Sequence, residues 1–256
     1  MSDIVNYELQ DAIAVITLNR PDSMNAFTNE LRVDLLGALQ RANEDTSVRA
    51  VILTGVGRCF SAGADLNDTV DSPVTEILQT EYRPVQEAIA AMPKPVIAAV
   101  PGSAAGIGLS IAMHCDLMIM ADNAFLLSPF TTISLVPDGG LNWLLVRQLG
   151  YRRAFQLSIE SERISADRCV ELGLANKVVP AEELQSAALE WANVISQRAP
   201  LSVAATKKVM RFAADNDWAS SYDLEAKLQG DLLGSVDNRE GIQAFFEKRA
   251  PKFEGQ

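Results

Sequence analysis

Short runs of apolar, mostly β-branched residues alternate along the chain with stretches in which apolar residues recur every three or four positions. The short runs predict buried strands at 12–18, 51–54, 96–100, 117–120 and 124–127. The helical spacing predicts helices at about 28–43, 73–91, 107–114 and 141–150. A further short strand at 7–9 predicts a hairpin with the strand at 12–18. Repeated strand, strand, helix units indicate an α/β architecture.

From Tyr151 onward the pattern is almost wholly helical, with one short strand expected at 176–179. The predicted helices cover about 166–172, 181–197, 201–214, 218–235 and 238–249. We therefore predict two units, an α/β core over residues 1–198 and a helical region over residues 199–256. A helical tail on such a core often docks on a neighbouring subunit, so we expect an oligomer.

Two stretches of small residues, 59–66 and 102–108, each follow a predicted strand. Turns this free of bulk expose backbone N–H groups, and two amides that converge on one point can hold an oxyanion. This arrangement indicates an enzyme that stabilises negative charge on a carbonyl oxygen. The alternative is that glycine and alanine only permit close packing in two tight connections.

Composition narrows the class of protein. The 256 residues are 48% apolar and 21% charged, which is ordinary for a globular protein. The net charge of −11 argues against nucleic acid as a partner but leaves room for a small anionic ligand. Three cysteines without metal-like spacing indicate reduced thiols, and the single histidine, His114, argues against a catalytic triad or a metal site. With no apolar leader and no stretch of membrane-spanning length, we expect no membrane partner and a cytoplasmic protein.

One acid stands out, Asp138, in a turn before the apolar helix at 141–150. It occupies a position where its carboxylate would cap that helix by accepting a bond from the amide of residue 140 or 141. An apolar pocket would instead raise its pKa and let it move a proton near neutral pH. Both interpretations stay open on the residues alone.

Several ordered motifs together resemble the enoyl-CoA hydratase/isomerase (crotonase) superfamily. They lie at 19–27, 57–66, 102–116, 137–150, 163–166, 171–175 and 240–249, and so cover almost the whole chain. The resemblance implies a spiral of strand-strand-helix units with a C-terminal helical region, assembled as a homotrimer or a dimer of trimers.

The resemblance also implies a site for an acyl-CoA thioester, with coenzyme A as part of the substrate and no further cofactor. The amides of Ala62 and Ile107 would bind the thioester oxygen. An apolar acyl pocket would contain Phe130 and Trp143 with Leu126 and Ile133. Lys248 or Lys252 would reach the coenzyme A phosphates, from the same or an adjacent subunit. The other substrate contacts would come from Ala26, Gly63, Ala64, Asp65, Leu66, Gly106 and Ser110.

Departures from the family pattern bear on the reaction. Typical hydratases of the family carry two catalytic glutamates, and the corresponding positions here hold Ser110 and Phe130, neither of which can act as a carboxylate base. A subset that resembles the ring-epoxide isomerases of phenylacetyl-CoA catabolism, and some fatty enoyl-CoA isomerases, keep an aspartate where this chain has Asp138. We therefore expect an isomerase in which Asp138 removes and returns a proton.

Three alternatives remain at this point. The chain could be a hydratase with a rearranged acid pair, Asp138 with Glu76 or Glu81. It could be another enolate enzyme, such as a dehalogenase, with Asp138 as nucleophile. It could also be a non-catalytic acyl-CoA-binding or scaffold protein that retains the fold.

Overall fold

The computed structural model describes residues 3–68 and 72–256. The first two residues of the chain and residues 69–71, which precede the helix predicted at 73–91, therefore lie outside the described residues. The strands are β1 (Val5–Gln10), β2 (Ile13–Leu18), β3 (Ala50–Gly55), β4 (Cys59–Ser61), β5 (Val96–Val100), β6 (Ser103–Ala105), β7 (Leu117–Ala121), β8 (Phe125–Leu127), β9 (Ile164–Ser165) and β10 (Lys177–Val179). The helices are α1 (Asn29–Glu44), α2 (Val74–Ile77), α3 (Arg83–Ala91), α4 (Ile107–His114), α5 (Leu141–Leu149), α6 (Tyr151–Glu160), α7 (Ala166–Glu171), α8 (Leu184–Ser196), α9 (Pro200–Ala213), α10 (Trp218–Leu232) and α11 (Val236–Glu247).

A first sheet forms the centre of the molecule, in the order β1-β2-β3-β5-β7-β10 within the described residues. Its β1–β2 pair is antiparallel and its other pairs are parallel. Every residue of β3 and β5 is buried, as a parallel strand covered on both faces requires. This explains why these strands read as continuous apolar runs rather than alternating ones.

A second, smaller sheet runs in the order β4-β6-β8-β9. The first three strands are parallel, and β9 is antiparallel to β8. β4 and β6 lie inside the two small-residue stretches that the sequence pattern placed wholly in turns. At three residues each they are too short to show a period.

The two sheets confirm the expected spiral. Successive units contribute one strand to each sheet and then a helix: β3 and β4 precede α2, β5 and β6 precede α4, and β7 and β8 precede α5. Since β4, β6 and β8 are neighbours in register, the segments that follow them meet on one side of the molecule.

The helix predicted at 73–91 contains a π-turn, Leu78–Tyr82, between α2 and α3. Pro84, the second residue of α3, has no N–H to donate to the carbonyl four residues earlier, so regular α-helical bonding cannot run through this point. Helix α6 lies in the region expected to be mostly helical but was given no range of its own, and the other long helices agree with their predicted positions to within a few residues.

Polar contacts join α9 to the core. Lys207 donates to the backbone oxygen of Ile89 at 2.9 Å, and its ammonium lies 2.7 Å from the carboxylate of Asp116. Arg211 pairs with the same carboxylate at 2.8 Å.

The final residues fold back onto α11, where the buried Asp237 accepts from the amides of Glu254 and Gly255. In the part of the chain described, no helix has both the length and the apolar character needed to cross a membrane.

Candidate active site

The two small-residue stretches meet where β4 ends and α4 begins. A Cβ built on Gly63 would lie 3.1 Å from the backbone oxygen of Ala105 and 3.6 Å from the amide nitrogen of Ile107. Gly63 and Gly106 also have positive φ angles of 106° and 57°, which side chains strongly disfavour. The glycines therefore do permit close packing, and the same packing brings two backbone segments to one place.

The amide expected to bind the thioester oxygen, that of Ala62, is already occupied. It donates to the backbone oxygen of Met24 at 3.0 Å, so the prediction of Ala62 as an oxyanion donor is wrong. Ala64 is better placed. Ala64 forms a parallel bridge with Phe27. The Phe27 amide donates to the oxygen of Gly63, and the Phe27 oxygen accepts from the amide of Asp65. In this pattern the Ala64 N–H is directed away from Phe27.

Ile107 is the first residue of α4, so its amide has no partner within the helix. Among residues 3–68 and 72–256, neither the Ala64 nor the Ile107 amide donates to a protein acceptor. The N-terminus of α4 adds the positive end of its dipole. Two unsatisfied donors beside a helix N-terminus are suited to a developing negative charge.

Arg20 holds the 62–66 loop against the turn that contains Ala26. Its guanidinium donates to the backbone oxygen of Ala26 and lies 3.1 Å from the carboxylate of Asp65. A bond from the Asn67 amide, and then the Arg20 guanidinium, hold the pKa of Asp65 below its ordinary value although burial opposes this. The carboxylate of Asp65, expected to contact substrate, thus ties the loop together. Leu66 is 80% exposed at the end of the same loop.

Asn25 was not identified from the sequence, although it organises this region. It is fully buried with φ +53°, and its Nδ2 donates to the backbone oxygens of Val56 (3.1 Å) and Cys59 (2.7 Å). Its Oδ1 accepts from the amide of Arg20 at 2.8 Å. Asparagine is one of the few residues enriched in the left-handed region, so an asparagine in a turn before a helix was the available signal.

Asp138 does not cap α5. The residue at the cap position is Gly140, with no side-chain bond, and one carboxylate oxygen of Asp138, Oδ1, is buried without a hydrogen-bond partner. Burial raises the pKa of Asp138 to about 6. The carboxyl group therefore exchanges a proton close to neutral pH, as a general acid or base must.

A cleft of about 480 Å³ opens beside Asp138, lined by α3, the π-turn and the 138–140 turn. His114 also lines it. The His114 ring is half-buried, its Nδ1 lies 2.8 Å from the backbone oxygen of Ser110, and burial lowers its pKa. The sequence analysis did not predict that His114 lies in this cleft.

Ser110 was expected to contact substrate, and the structure gives its hydroxyl another partner. The residue is fully buried, and its hydroxyl donates to the backbone oxygen of Gly139, next to Asp138. Gln86, which the sequence pattern gave no reason to select, donates to Ser110 Oγ at 3.1 Å and to the same Gly139 oxygen at 2.8 Å.

The four residues expected to form one acyl pocket lie in different parts of the structure. Phe130 is buried, with its ring 3.9 Å from where a Cβ of Gly106 would lie, so it reaches the oxyanion turn. Leu126 is wholly buried in the core, Ile133 is 53% exposed, and Trp143 lines a different groove, between α5 and α9, beneath the guanidinium of Arg147. The expectation that Trp143 belongs to a pocket beside Asp138 is therefore not met by the structure.

Lys248 and Lys252 lie exposed at the C-terminal end, and among the described residues no hydrogen bond or ion pair joins either ammonium to the 62–66 loop. Of the two acids considered as partners for Asp138, Glu81 is held by Arg32 Nε (2.8 Å) and Asn29 Nδ2 (2.9 Å). Burial would raise the pKa of Glu81, but these donors lower it overall. Glu76 is exposed on α2.

The described residues contain no group of three or more histidine, cysteine, aspartate or glutamate side chains placed to hold a metal ion. Burial also raises the pKa of the thiols of Cys115 and Cys169 to about 12, so neither is a ready nucleophile at neutral pH.

The enoyl-CoA hydratase/isomerase family model matches residues 8–256, and the chain belongs to this family. It is 39% identical over 254 residues to a probable enoyl-CoA hydratase of Rhodobacter capsulatus, covering 98% of each chain. It is 34% identical over 262 residues to the 1,2-epoxyphenylacetyl-CoA isomerase of Escherichia coli, covering all of both.

The fold is that of the crotonase superfamily. An enoyl-CoA hydratase from Bacillus anthracis superposes with a TM-score of 0.95 at 32% identity, over 99% of this chain and 100% of that one. The protein is thus an acyl-CoA enzyme of the hydratase/isomerase superfamily by fold and by sequence.

Proposed function

We propose that this protein is an enoyl-CoA isomerase that moves a double bond within an enoyl- or ring-derived CoA thioester. Asp138 is its single acid and base, and the amides of Ala64 and Ile107 hold the enolate oxygen. Coenzyme A enters as part of the substrate, and the reaction uses no other cofactor.

The observation that carries the proposal is the environment of Asp138. Its carboxyl is partly buried, has one oxygen without a partner, has a pKa of about 6 and opens onto a cleft. The positions that hold glutamates in typical hydratases of the family offer no second base: Ser110 is bonded to Gly139, and Phe130 is a buried ring.

The proposed step needs only these groups. The Asp138 carboxylate takes a proton from the carbon beside the thioester carbonyl, and the C–H electron pair becomes the new double bond of a dienolate. The negative charge moves to the thioester oxygen, where each backbone donor is worth about 3 kcal/mol in the transition state. The carboxylic acid then returns the proton to the γ-carbon, so the double bond moves and Asp138 is regenerated.

A hydratase remains the second candidate, because the Rhodobacter capsulatus relative carries that name. Hydration normally uses one group to activate water and another to protonate the α-carbon. Glu81 is already paired with Arg32 and Asn29, which leaves it poorly suited to either task. Loss of enoyl absorbance on incubation with crotonyl-CoA would support hydration.

Asp138→Asn tests the proposal, because the amide keeps the shape of the carboxyl but cannot take a proton. With a short β,γ-unsaturated acyl-CoA, we expect turnover to fall by about 10²–10⁴-fold. Deuterium incorporation from D₂O should be lost in parallel, while the Kd for the acyl-CoA stays within a few-fold.

Asp217→Asn makes the same chemical change at a helix cap of α10, outside the cleft, and should leave turnover unchanged. Turnover retained in Asp138→Asn would exclude the mechanism. Acyl-CoA binding by the wild type without turnover of enoyl or aromatic CoA esters would identify a binding protein instead. Solvent oxygen-18 in the Asp138 carboxyl after one turnover would identify a nucleophile.

A further inference from the structure

The turn that carries Asp138 is fixed by buried hydrogen bonds that the proposed reaction does not itself use. The backbone oxygen of Gly139 accepts from Gln86 Nε2 and from the Ser110 hydroxyl, and Gln86 Nε2 also bonds to Ser110 Oγ. Ser110 is fully buried and Gln86 is 7% exposed. Groups from α3, α4 and the 138–140 turn therefore close a ring of hydrogen bonds around one peptide.

The same turn packs tightly against α4. A Cβ on Gly139 would lie 2.2 Å from Ile107 Cδ1 and 2.6 Å from Gln86 Nε2, and Gly139 has φ +59°. A larger residue here would have to displace these side-chain ends and hold a backbone conformation that L residues rarely adopt. The place of Asp138 relative to Ile107 is thus set by direct contact through the neighbouring residue.

We propose that Gln86 and Ser110 are positioning residues that hold the Gly139 peptide against α4 and so fix the Asp138 carboxyl relative to the oxyanion donors. This inference rests on the proposed function, in which Asp138 moves the proton. Gln86 also lines the cleft, but its Nε2 bonds to Ser110 and Gly139, and Ser110 is fully buried, so we assign both side chains to the turn rather than to the substrate. The Asp138 carboxyl must reach two carbons in turn, so the reaction slows when the backbone that carries it shifts. A displacement of about 1 Å can lower the rate on the order of 10²-fold.

The hydrogen bonds also match the chemistry of the two side chains. An amide N–H₂ group can donate twice, and a hydroxyl can donate once while it accepts. Gln86 and Ser110 use these capacities on each other and on Gly139. Because both side chains are buried and the Gly139 peptide is partly buried, a lost donor leaves the Gly139 oxygen with less support.

Gln86→Leu and Ser110→Ala test the inference in the full-length protein. We expect kcat to fall by about 10- to 100-fold in Gln86→Leu and by less in Ser110→Ala, with KM within threefold of wild type. Ser110→Cys, which keeps a weak donor, should recover part of the loss. A loosened turn also admits water to Asp138, so the acidic limb of kcat/KM should move below its wild-type position near pH 6.

Thr54→Val is the matched control. The buried Thr54 hydroxyl donates to the backbone oxygen of Ala99 at 2.8 Å in the central sheet, outside the cleft. Its loss should lower the melting temperature by an amount comparable to Ser110→Ala while kcat and the acidic limb stay unchanged. Hydrogen exchange of amides 134–142 should accelerate in the two network variants only.

The outcomes separate this inference from the function it rests on. If Asp138→Asn is inactive but Gln86→Leu keeps wild-type kcat, pH limb and exchange, the positioning role is wrong and the proposed function stands. If Asp138→Asn retains turnover, the proposed function and the catalytic part of this inference both fail. Should Gln86→Leu be insoluble, Ser110→Ala decides by the same three measurements.

Discussion

At the scale of single residues, the burial that suits Asp138 to proton transfer also costs stability. A pKa of about 6, against an ordinary value near 3.8, means that the native state binds a proton more tightly than the unfolded chain does. Between about pH 4 and pH 6 the native state holds more protons, so this residue's contribution to stability falls as the pH rises. Above about pH 6 the carboxyl is ionised in both states, and the contribution of Asp138 to stability falls no further.

We therefore expect Asp138→Asn to be more stable than the wild type above pH 6, by about 1–2 kcal/mol since solvent screens part of the effect at a partly exposed carboxyl, and close to it near pH 4. The measurement is the difference in unfolding free energy between the two proteins, from urea titrations across this range. A difference that does not change with pH would show that burial of the charged carboxylate is not its cause.

Residue chemistry also sets how much of the site is predictable. Asp138 was selected from local signals, a turn, a helix start and apolar neighbours, but these left helix capping and proton transfer both open until the family resemblance was considered. Which of the Ala62 and Ala64 amides is free to bind an oxyanion could not be predicted locally. It depends on the Met24 oxygen, distant in sequence, which accepts a hydrogen bond from Ala62. Gln86 was missed for the same reason: its partners on α4 and beside Asp138 are neighbours only after folding.

At the scale of elements, the turn at 20–26 and the loop at 62–66 behave as one unit. Arg20 joins them through Ala26 and Asp65, and Asn25 fixes the turn to β4. Backbone bonds also join the two segments, from the Ala62 amide to the Met24 oxygen and from the Phe27 amide to the Gly63 oxygen, and the side-chain bonds add to them. The conformation of the loop that presents Ala64 therefore depends on residues of the turn.

Arg20→Met should loosen this unit without touching Asp138. We expect KM for the acyl-CoA to rise on the order of tenfold, about 1.4 kcal/mol, with kcat changed by less than threefold. Steady-state kinetics measure both. Arg168→Met, which breaks an exposed pair with Glu171 on α7, serves as the control and should change neither constant. A fall in kcat alone would show that the unit acts on chemistry rather than on binding.

Elements also show where sequence patterns succeed and where they stop. The inner strands of the central sheet were predicted from continuous apolar runs, and the long helices other than α6 from the helical spacing of their apolar residues. The short strands β4, β6 and β9 were missed, since two or three residues carry no period and their pairing is made across the spiral. The π-turn was missed because Pro84 signals an irregularity without specifying its form.

At the scale of the whole molecule, the C-terminal helices carry large apolar side chains that the rest of the chain does not cover. Trp218 is 78%, Phe245 79% and Phe246 77% exposed. Exposed aromatic clusters of this kind mark interaction surfaces. They support the inference that α10 and α11 take part in assembly, as expected for the unit predicted at 199–256.

We expect the wild type to form a homotrimer or a dimer of trimers, and the double variant Phe245→Glu/Phe246→Glu to dissociate or assemble less stably. Size-exclusion chromatography with light scattering gives both masses. Val33→Glu, at an exposed apolar position on α1, is the control and should keep the wild-type mass. A wild-type monomer at micromolar concentration would contradict the expectation.

The parallel register of β4, β6 and β8 has a consequence for how such a protein can change over evolution. In the proposed mechanism the segments after β4 and β6 supply main-chain donors, which substitution of side chains does not remove provided that the glycines stay. Only the segment after β8 supplies a side chain, Asp138. Substitutions can therefore leave the backbone donors that stabilise an enolate intact while a change at position 138 alters proton transfer. Closely similar chains can then share an enolate intermediate and form different products.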